Sequence, residues 1–427
     1  MFISSICLAF FCKEFNLDKH LKNKLIRPLG RREFIAYLSK LSVATAAILK
    51  GGLVMSSELK TSKGVGKELD FILPGKLGNP EMTMLDDPRL DPRIRDSYID
   101  NPVLPKPPPV ELTINPTYED SIAMTHWMDD MLKMKHAQQE SNMPPFDDIT
   151  SYSEVIEGQA GNKITLYIDR PKNVADKIPC LIHFHGGGMS FSSAEAPLFV
   201  RWRKSLAQQG MLVIGVEFSS EALSPGHHPF PAGLNDCASA VRWAHGNRAK
   251  LDISSIVITG ESGGGNLVIA TAIKANKEGW INEIDGVYAL APMILGIYGP
   301  DLPPDLSSWR ENYGYMGNRP IVRMLTKVYD PKDEHEKNPL AWPFHAKDKD
   351  LRGLPPHIIV NYELDLIRDD GVVYAQKLRA SGVEATSTII NGADHVPEIA
   401  MPDTIPELTR NTLASIAAFA RGVQSQN

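Results

Sequence analysis

The chain reads as an α/β protein, with a mainly parallel central sheet flanked by helices. Short apolar runs of strand length alternate with stretches of helical period from Lys163 to the end. Two of these runs end in glycine-rich turns, at Gly186-Gly187-Gly188 and at Gly260-Glu261-Ser262-Gly263-Gly264. The composition is ordinary for a globular protein, with 43% apolar and 22% charged residues. It excludes a collagen-like chain, a disulfide-stapled mini-protein and a wholly disordered chain.

The elements follow in order. Thr117 to about Gln139 carries Ile122, Met124, Trp127, Met128, Met131, Leu132 and Met134 at helical spacing. This amphipathic helix either packs its apolar face conventionally or lies as a lid over an apolar pocket, since Met and Trp suit adaptable surfaces. Strands are expected at Lys163–Ile168, Pro179–His185, Met211–Phe218, Ile256–Gly260, Ile284–Ala291, His357–Tyr362 and Ala385–Ile390. Helices are expected at Leu234–Arg248, Gly264–Lys277, Gly371–Ser381 and about Ile405–Ala420. Residues 299–353 break the alternation and read as an insertion covering one edge of the sheet.

The start of the chain has a different character. Its first 56 residues carry a local charge of +6 within a net charge of −6, which leaves an acidic body. That balance argues against nucleic acid as a partner. Arg31-Arg32 followed by the weakly apolar stretch Phe34–Leu49 resembles a twin-arginine export signal, so residues 1–56 read as a leader and the destination as periplasmic or secreted. The alternative is a basic amphipathic helix on a cytoplasmic protein. Phe2–Phe11 is far shorter than the ~20 residues a spanning helix needs. Residues 57–116 are polar and proline-rich, ending in Pro105-Lys106-Pro107-Pro108-Pro109, and read as a linker or strap. The remainder, 117–427, reads as one α/β domain. Of four cysteines, Cys7 and Cys12 lie in the leader; Cys180 and Cys237 read as buried thiols, with one bridge between them left open.

The chemistry concentrates at the glycine turns. Gly260-Glu261-Ser262-Gly263-Gly264 follows a strand and opens a helix, the setting of a nucleophile elbow. Side chains at Gly260 and Gly264 would not fit so tight a turn, and the helix N-terminus favours a developing anion. A phosphate-binding turn is the alternative, but no P-loop lysine follows. His185-Gly186-Gly187-Gly188 ends an earlier strand. The amides of Gly187, Gly188 and Gly263 are candidates for an oxyanion hole, with His185 shaping the loop. His183 and His185 lack further ligands at metal spacing, so no metal is expected.

A serine nucleophile needs a base and an orienting acid. Asp365 follows the strand ending at Tyr362, and His395 follows the strand ending at Ile390. The order Ser262, Asp365, His395 is the one expected after such an elbow. Asp369 competes with Asp365, which is preferred because it leaves the strand directly.

These motifs together resemble the hormone-sensitive-lipase-like branch of the α/β-hydrolase fold, from about Lys163 to Ala420. Pro229-Phe230-Pro231-Ala232 and Asp236 fit the same resemblance. It implies a carboxylesterase acting on small esters of short to medium acyl chains, with no cofactor or metal. It also implies a helical cap from about 117–150 and 299–350. An amidase or peptidase would use the same residues, and a non-catalytic ligand-binding module shares the fold. Two departures stand out: Phe218–Pro225 replaces the usual Tyr-Arg-Leu-Ala-Pro-Glu run, and Glu261 stands where Asp is common. The oligomeric state is not legible.

Overall fold

The computed structural model describes residues 73–101, 107–174, 176–298, 303, 305–315 and 317–423. The leader (1–56), the first part of the proline-rich stretch, and Pro105 and Lys106 lie outside the described residues. Everything described belongs to the compact unit Ile72–Asn427.

One sheet of eight strands organises this unit: β1 (Ile149–Glu157), β2 (Lys163–Pro171), β3 (Ile178–Phe184), β4 (Leu212–Glu217), β5 (Ile253–Glu261), β6 (Gly286–Leu290), β7 (His357–Tyr362) and β8 (Ala385–Ile390). Their spatial order is β1-β2-β4-β3-β5-β6-β7-β8. β1/β2 and β2/β4 pair antiparallel and the rest are parallel. Every residue of β3 is buried, as expected for a central strand covered on both faces. β1 escapes the sequence pattern because it is a polar edge strand. Only Ile149 and Ile156 reach the interior, and Val155 is 58% exposed.

The longer helices, in chain order, are α1 (Pro92–Asp100), α2 (Tyr118–Glu140), α3 (Pro197–Ala207), α4 (Ala232–Gly246), α5 (Gly263–Glu278), α6 (Arg319–Tyr329), α7 (Arg368–Ala380) and α8 (Pro406–Gly422). One apolar core holds Cys180 and Cys237, both free and buried. A second core, on other residues, includes Trp202, Tyr288 and Ile416.

The proline-rich stretch carries more structure than a strap requires. Leu90, Ile94 and Tyr98 recur at every fourth position; Leu90 and Ile94 are buried and Tyr98 packs against the second core. The Asp91 side chain caps α1 by accepting from the Arg93 amide, with Pro92 in the first turn. Residues 107–117 run without helix or strand.

The insertion differs from expectation in position. It lies over the carboxyl ends of the strands rather than along an edge. Leu306, Trp309, Val322 and Leu325 form a small core with Met293 and Leu366, which follow β6 and β7. Trp309 donates to Asp370 on α7 at 3.2 Å. The insertion also contains α6, whose signal was present in the sequence: the Asn318 side chain caps it by accepting from Ile321, Pro320 sits in the first turn, and Val322, Leu325 and Val328 share a face.

Helix α2 lies where the sequence placed it but is not simply amphipathic. Ser121, Thr125 and Asp129 are buried, while Trp127 and Met128 are half-buried and Met134 is 52% exposed. The buried hydroxyls of Ser121 and Thr125 donate to carbonyls one turn back, so they need no outside partner. Asp129 accepts from the Ser192 amide. No helix among the described residues is long and apolar enough to cross a membrane.

Candidate active site

The turn from β5 into α5 puts Ser262 at φ 56°, ψ −117°, outside the usual L-residue regions. Such strain persists only where surroundings over-determine it. Here the Ser262 amide donates to the Leu290 carbonyl, and its own carbonyl accepts from Asn266 and Met293. The flanking glycines leave no room for a side chain. A Cβ at Gly264 would lie 1.9 Å from the Phe184 carbonyl, and one at Gly260 would lie 2.5 Å from it.

β3 brings the second glycine turn against the first. A Cβ on Gly263 would fall 2.6 Å from the Gly188 nitrogen. Gly187 (φ 117°) and Gly188 (φ 58°) both occupy backbone conformations that favour glycine. Beneath them, Glu261 is buried and latches the two turns together. Its Oε1 accepts from the Gly186 amide at 2.6 Å, and its Oε2 pairs with His183 Nε2 at 2.9 Å. His185 stacks on Phe218 with centroids 4.2 Å apart, and its Nδ1 bonds the Gly186 carbonyl. Burial pushes the His185 pKa down to about 3, so the ring is neutral at ordinary pH. The latch role falls to Glu261, which the sequence showed only as standing where Asp is common.

β7 and β8 deliver the acid and the histidine. His395 Nδ1 bonds Asp365 Oδ2 at 2.7 Å. The other Asp365 oxygen accepts from the Ile367 amide. Burial disfavours the charged ring of His395, but the Asp365 carboxylate outweighs it and holds the pKa above the ordinary histidine value. Asp369 is committed elsewhere. It accepts from Ser307, Ser308 and Arg368, and so anchors the insertion.

Ser262, Asp365, His395, Gly186, Gly187 and Gly188 line one cavity of about 300 Å³. Its remaining walls are mostly apolar; α2 contributes Met128 and Leu132, the insertion Ile321, Val322 and Leu325, and α3 Leu198 and Phe199. Of the residues predicted from sequence, Ser262, Asp365, His395 and Gly186 to Gly188 thus meet at one cavity, while His185, Gly260, Gly263 and Gly264 are not part of its lining. Those of the insertion were missed, although the periodicity of α6 could have revealed them.

A family model described as the alpha/beta hydrolase fold matches residues 181–398, half of the chain. The chain belongs to the α/β-hydrolase-fold family. Within the family it is similar to carboxylesterase NlhH of Mycobacterium tuberculosis, 32% identical over 220 residues. That match covers 50% of this chain but only 64% of the mycobacterial protein. An arylesterase of Saccharolobus solfataricus is 33% identical over 220 residues, 50% of this chain and 67% of that one. Among solved structures, a brefeldin A esterase described as a bacterial homologue of human hormone-sensitive lipase aligns with a TM-score of 0.76. It is 34% identical, covering 82% of this chain and 98% of that one. The resemblance to the hormone-sensitive-lipase-like branch therefore holds.

Within this fold, hydrogen bonds and ion pairs tie the surroundings of the site to α1, α2 and the insertion. The Tyr118 hydroxyl at the start of α2 donates to the buried Glu221, in the stretch that departs from the family's usual sequence. The Tyr98 hydroxyl on α1 donates to Asp394 at 2.6 Å, one residue before His395. Arg89 and Arg368 both pair with Glu311, joining the segment before α1 to the insertion and to α7.

Proposed function

We propose that this protein is a serine carboxylic-ester hydrolase working through an acyl-enzyme, on small-molecule esters of short to medium acyl chains. One observation carries the reading: a strained serine at a helix N-terminus shares a cavity with a 2.7 Å His–Asp pair and a glycine loop of closely packed amides.

His395 Nδ1 is held by Asp365, which leaves Nε2 for the reaction. As Ser262 Oγ attacks the ester carbonyl carbon, Nε2 takes its proton. The carbonyl oxygen becomes an oxyanion, stabilised by the amides of Gly187, Gly188 and Gly263; one such donor is worth ~3 kcal/mol. The tetrahedral species collapses, the C–O bond to the alcohol breaks, and His395 returns the proton to the leaving oxygen. Water, deprotonated by His395, then attacks the acyl carbon, and the acid departs as Ser262 regains its proton. Asp365 holds the tautomer and stabilises the imidazolium. Relatives named carboxylesterase and arylesterase support the class of reaction. Export through the twin-arginine-like leader (1–56) is part of the same proposal and stands on the sequence alone.

The test is turnover of a short p-nitrophenyl ester beside the matching anilide, for the wild type and Ser262→Ala. The expected result is ester cleavage well above anilide cleavage, with ester turnover falling by on the order of 10⁵ in the variant and an unchanged circular dichroism spectrum. Substantial activity in the variant removes Ser262 from its role. Dominant anilide cleavage makes the protein an amidase.

A further inference from the structure

The loops that carry Asp365 and His395 are joined twice. Beside the 2.7 Å bond between those two residues runs a second short one: the Tyr362 hydroxyl donates to Glu398 Oε1 at 2.6 Å. Tyr362 ends β7, three positions before Asp365, and Glu398 stands three positions after His395. Ahead of His395 the loops are already fastened. The Leu364 amide donates to the Ala393 carbonyl at 3.0 Å, and the Gly392 amide to Glu363 Oε2 at 2.8 Å. Past His395 the fastening passes to the Glu398 side chain.

That stretch needs holding. Val396 sits at φ 47°, ψ 50°, a left-handed conformation that is a genuine outlier for a β-branched residue. Such strain persists only where the surroundings impose it. Pro397, next along, has no amide to donate. Glu398 supplies the anchors. Its Oε1 accepts from Tyr362 and, at 3.2 Å, from the Thr412 hydroxyl of α8, while the Thr409 hydroxyl reaches its main-chain carbonyl at 3.3 Å.

Glu398 and Tyr362 are both fully buried, and Glu398 Oε2 has no hydrogen-bond partner among the described residues. A carboxyl so placed costs stability, and an apolar side chain of the same length would fill the space without that cost. Packing therefore does not account for a glutamate here, whereas its bonds across the two loops do. We propose that Glu398 is a positioning residue: by clamping the Val396 turn to Tyr362 and α8, it sets the direction of the His395 ring between Asp365 and Ser262. This rests on the esterase reading above and goes beyond it. Burial raises the Glu398 pKa to about 7, so the neutral carboxyl prevails below that pH. A glutamine amide can accept from Tyr362 in the same way and should preserve the clamp.

Three variants test the proposal. Glu398→Met keeps the length and removes the clamp, Glu398→Gln keeps an acceptor, and Tyr362→Phe removes a single oxygen. Turnover of a short p-nitrophenyl ester is measured in each, with folding checked by circular dichroism. The downfield proton NMR signal of His395 Nδ1–H, in its bond to Asp365, is followed alongside. A displaced base costs on the order of 10² in rate, so Glu398→Met should lower kcat by about that factor with KM within about twofold. Its NMR signal should shift or broaden. Glu398→Gln should keep kcat within about fivefold of the wild type, and Tyr362→Phe should lose about tenfold. Adding Tyr362→Phe to Glu398→Met should cost nothing further, because both act through one bond. Wild-type kcat with an unmoved signal in Glu398→Met overturns the proposal, even where the melting temperature falls. A loss in Glu398→Gln as large as in Glu398→Met overturns it as well. Where Glu398→Met does not fold, Tyr362→Phe decides by the same two readouts. Ser262→Ala separates the two levels. Ester hydrolysis that survives in it overturns the esterase reading and this proposal together. Hydrolysis lost there, with undiminished kcat in the Glu398 and Tyr362 variants, overturns the role of Glu398 alone.

Discussion

The two sides of the cavity are built in opposite ways. On the β3/β5 side, backbone does the work: glycines packed to within ångströms of neighbouring carbonyls, one strained serine and a latching carboxylate. On the other side, α2 and α6 offer Met128, Leu132, Ile321, Val322 and Leu325, the first three half-buried. At Gly187, Gly260, Gly263 and Gly264 the first side has no room for an added atom, because the close contacts there are with backbone. The second tolerates substitution, because flexible side chains repack. Reaction and selectivity should therefore respond differently to mutation.

The largest effect beyond the nucleophile itself belongs to the acid. Asp365→Asn keeps the shape but favours the wrong histidine tautomer, and kcat should fall by on the order of 10³–10⁴. Asp369→Asn should leave kcat within about tenfold and lower the melting temperature instead, since Asp369 holds Ser307, Ser308 and Arg368. The reverse pattern in steady-state kinetics would exchange the two assignments.

Next comes the loop. In Gly187→Ala the Cβ would meet the Phe191 carbonyl at 2.2 Å in a backbone conformation with φ 117°. Displacing that amide should cost about 10²–10³ in kcat with little change in KM. If the cost appears in KM alone, the loop binds ground state rather than oxyanion.

A smaller loss should follow Glu261→Gln. The amide oxygen can still accept from Gly186, but the charge facing His183 is gone. About tenfold in kcat is expected, with Glu261→Ala several times worse because it strands a buried donor at ~1–3 kcal/mol. Equal, negligible losses in both would show that the two turns hold each other without the latch.

The pH profile and Tyr98 give the finest comparison. Since Asp365 holds the His395 pKa above its ordinary ~6.5, and only the neutral ring can take the Ser262 proton, the acid limb of kcat/KM should lie above that pH. Tyr98→Phe removes the hydroxyl from Asp394 beside His395. It should lower kcat a few-fold and displace the acid limb, whereas Met128→Leu on the α2 wall should leave the limb in place. A limb that moves in both variants, or in neither, would dissolve the contrast between the two walls.

Legibility in the sequence followed the range of the interactions involved. The elbow, the glycine loop and the order of serine, acid and histidine could be read directly, because each is a short motif at a strand end. Central strands were legible because burial on both faces leaves nearly unbroken apolar runs, as in Val257-Ile258 of β5. β1 was not, since this edge strand is largely exposed on both faces and admits Tyr152 and Val155, on opposite sides, to solvent. The position of the insertion was missed because Trp309, Val322 and Leu325 find partners that follow β6 and β7, distant along the chain.

By itself, then, the amino-acid order determined the parallel sheet, the candidate site residues and the turns that display them, because those depend on neighbours a few residues apart. The tertiary structure decided that Asp369 is taken up by Ser307, Ser308 and Arg368, that Glu261 ties two loops together, and that Leu90 and Ile94 of the proline-rich stretch join the core. Such pairings depend on distances between elements, which local residue patterns do not encode.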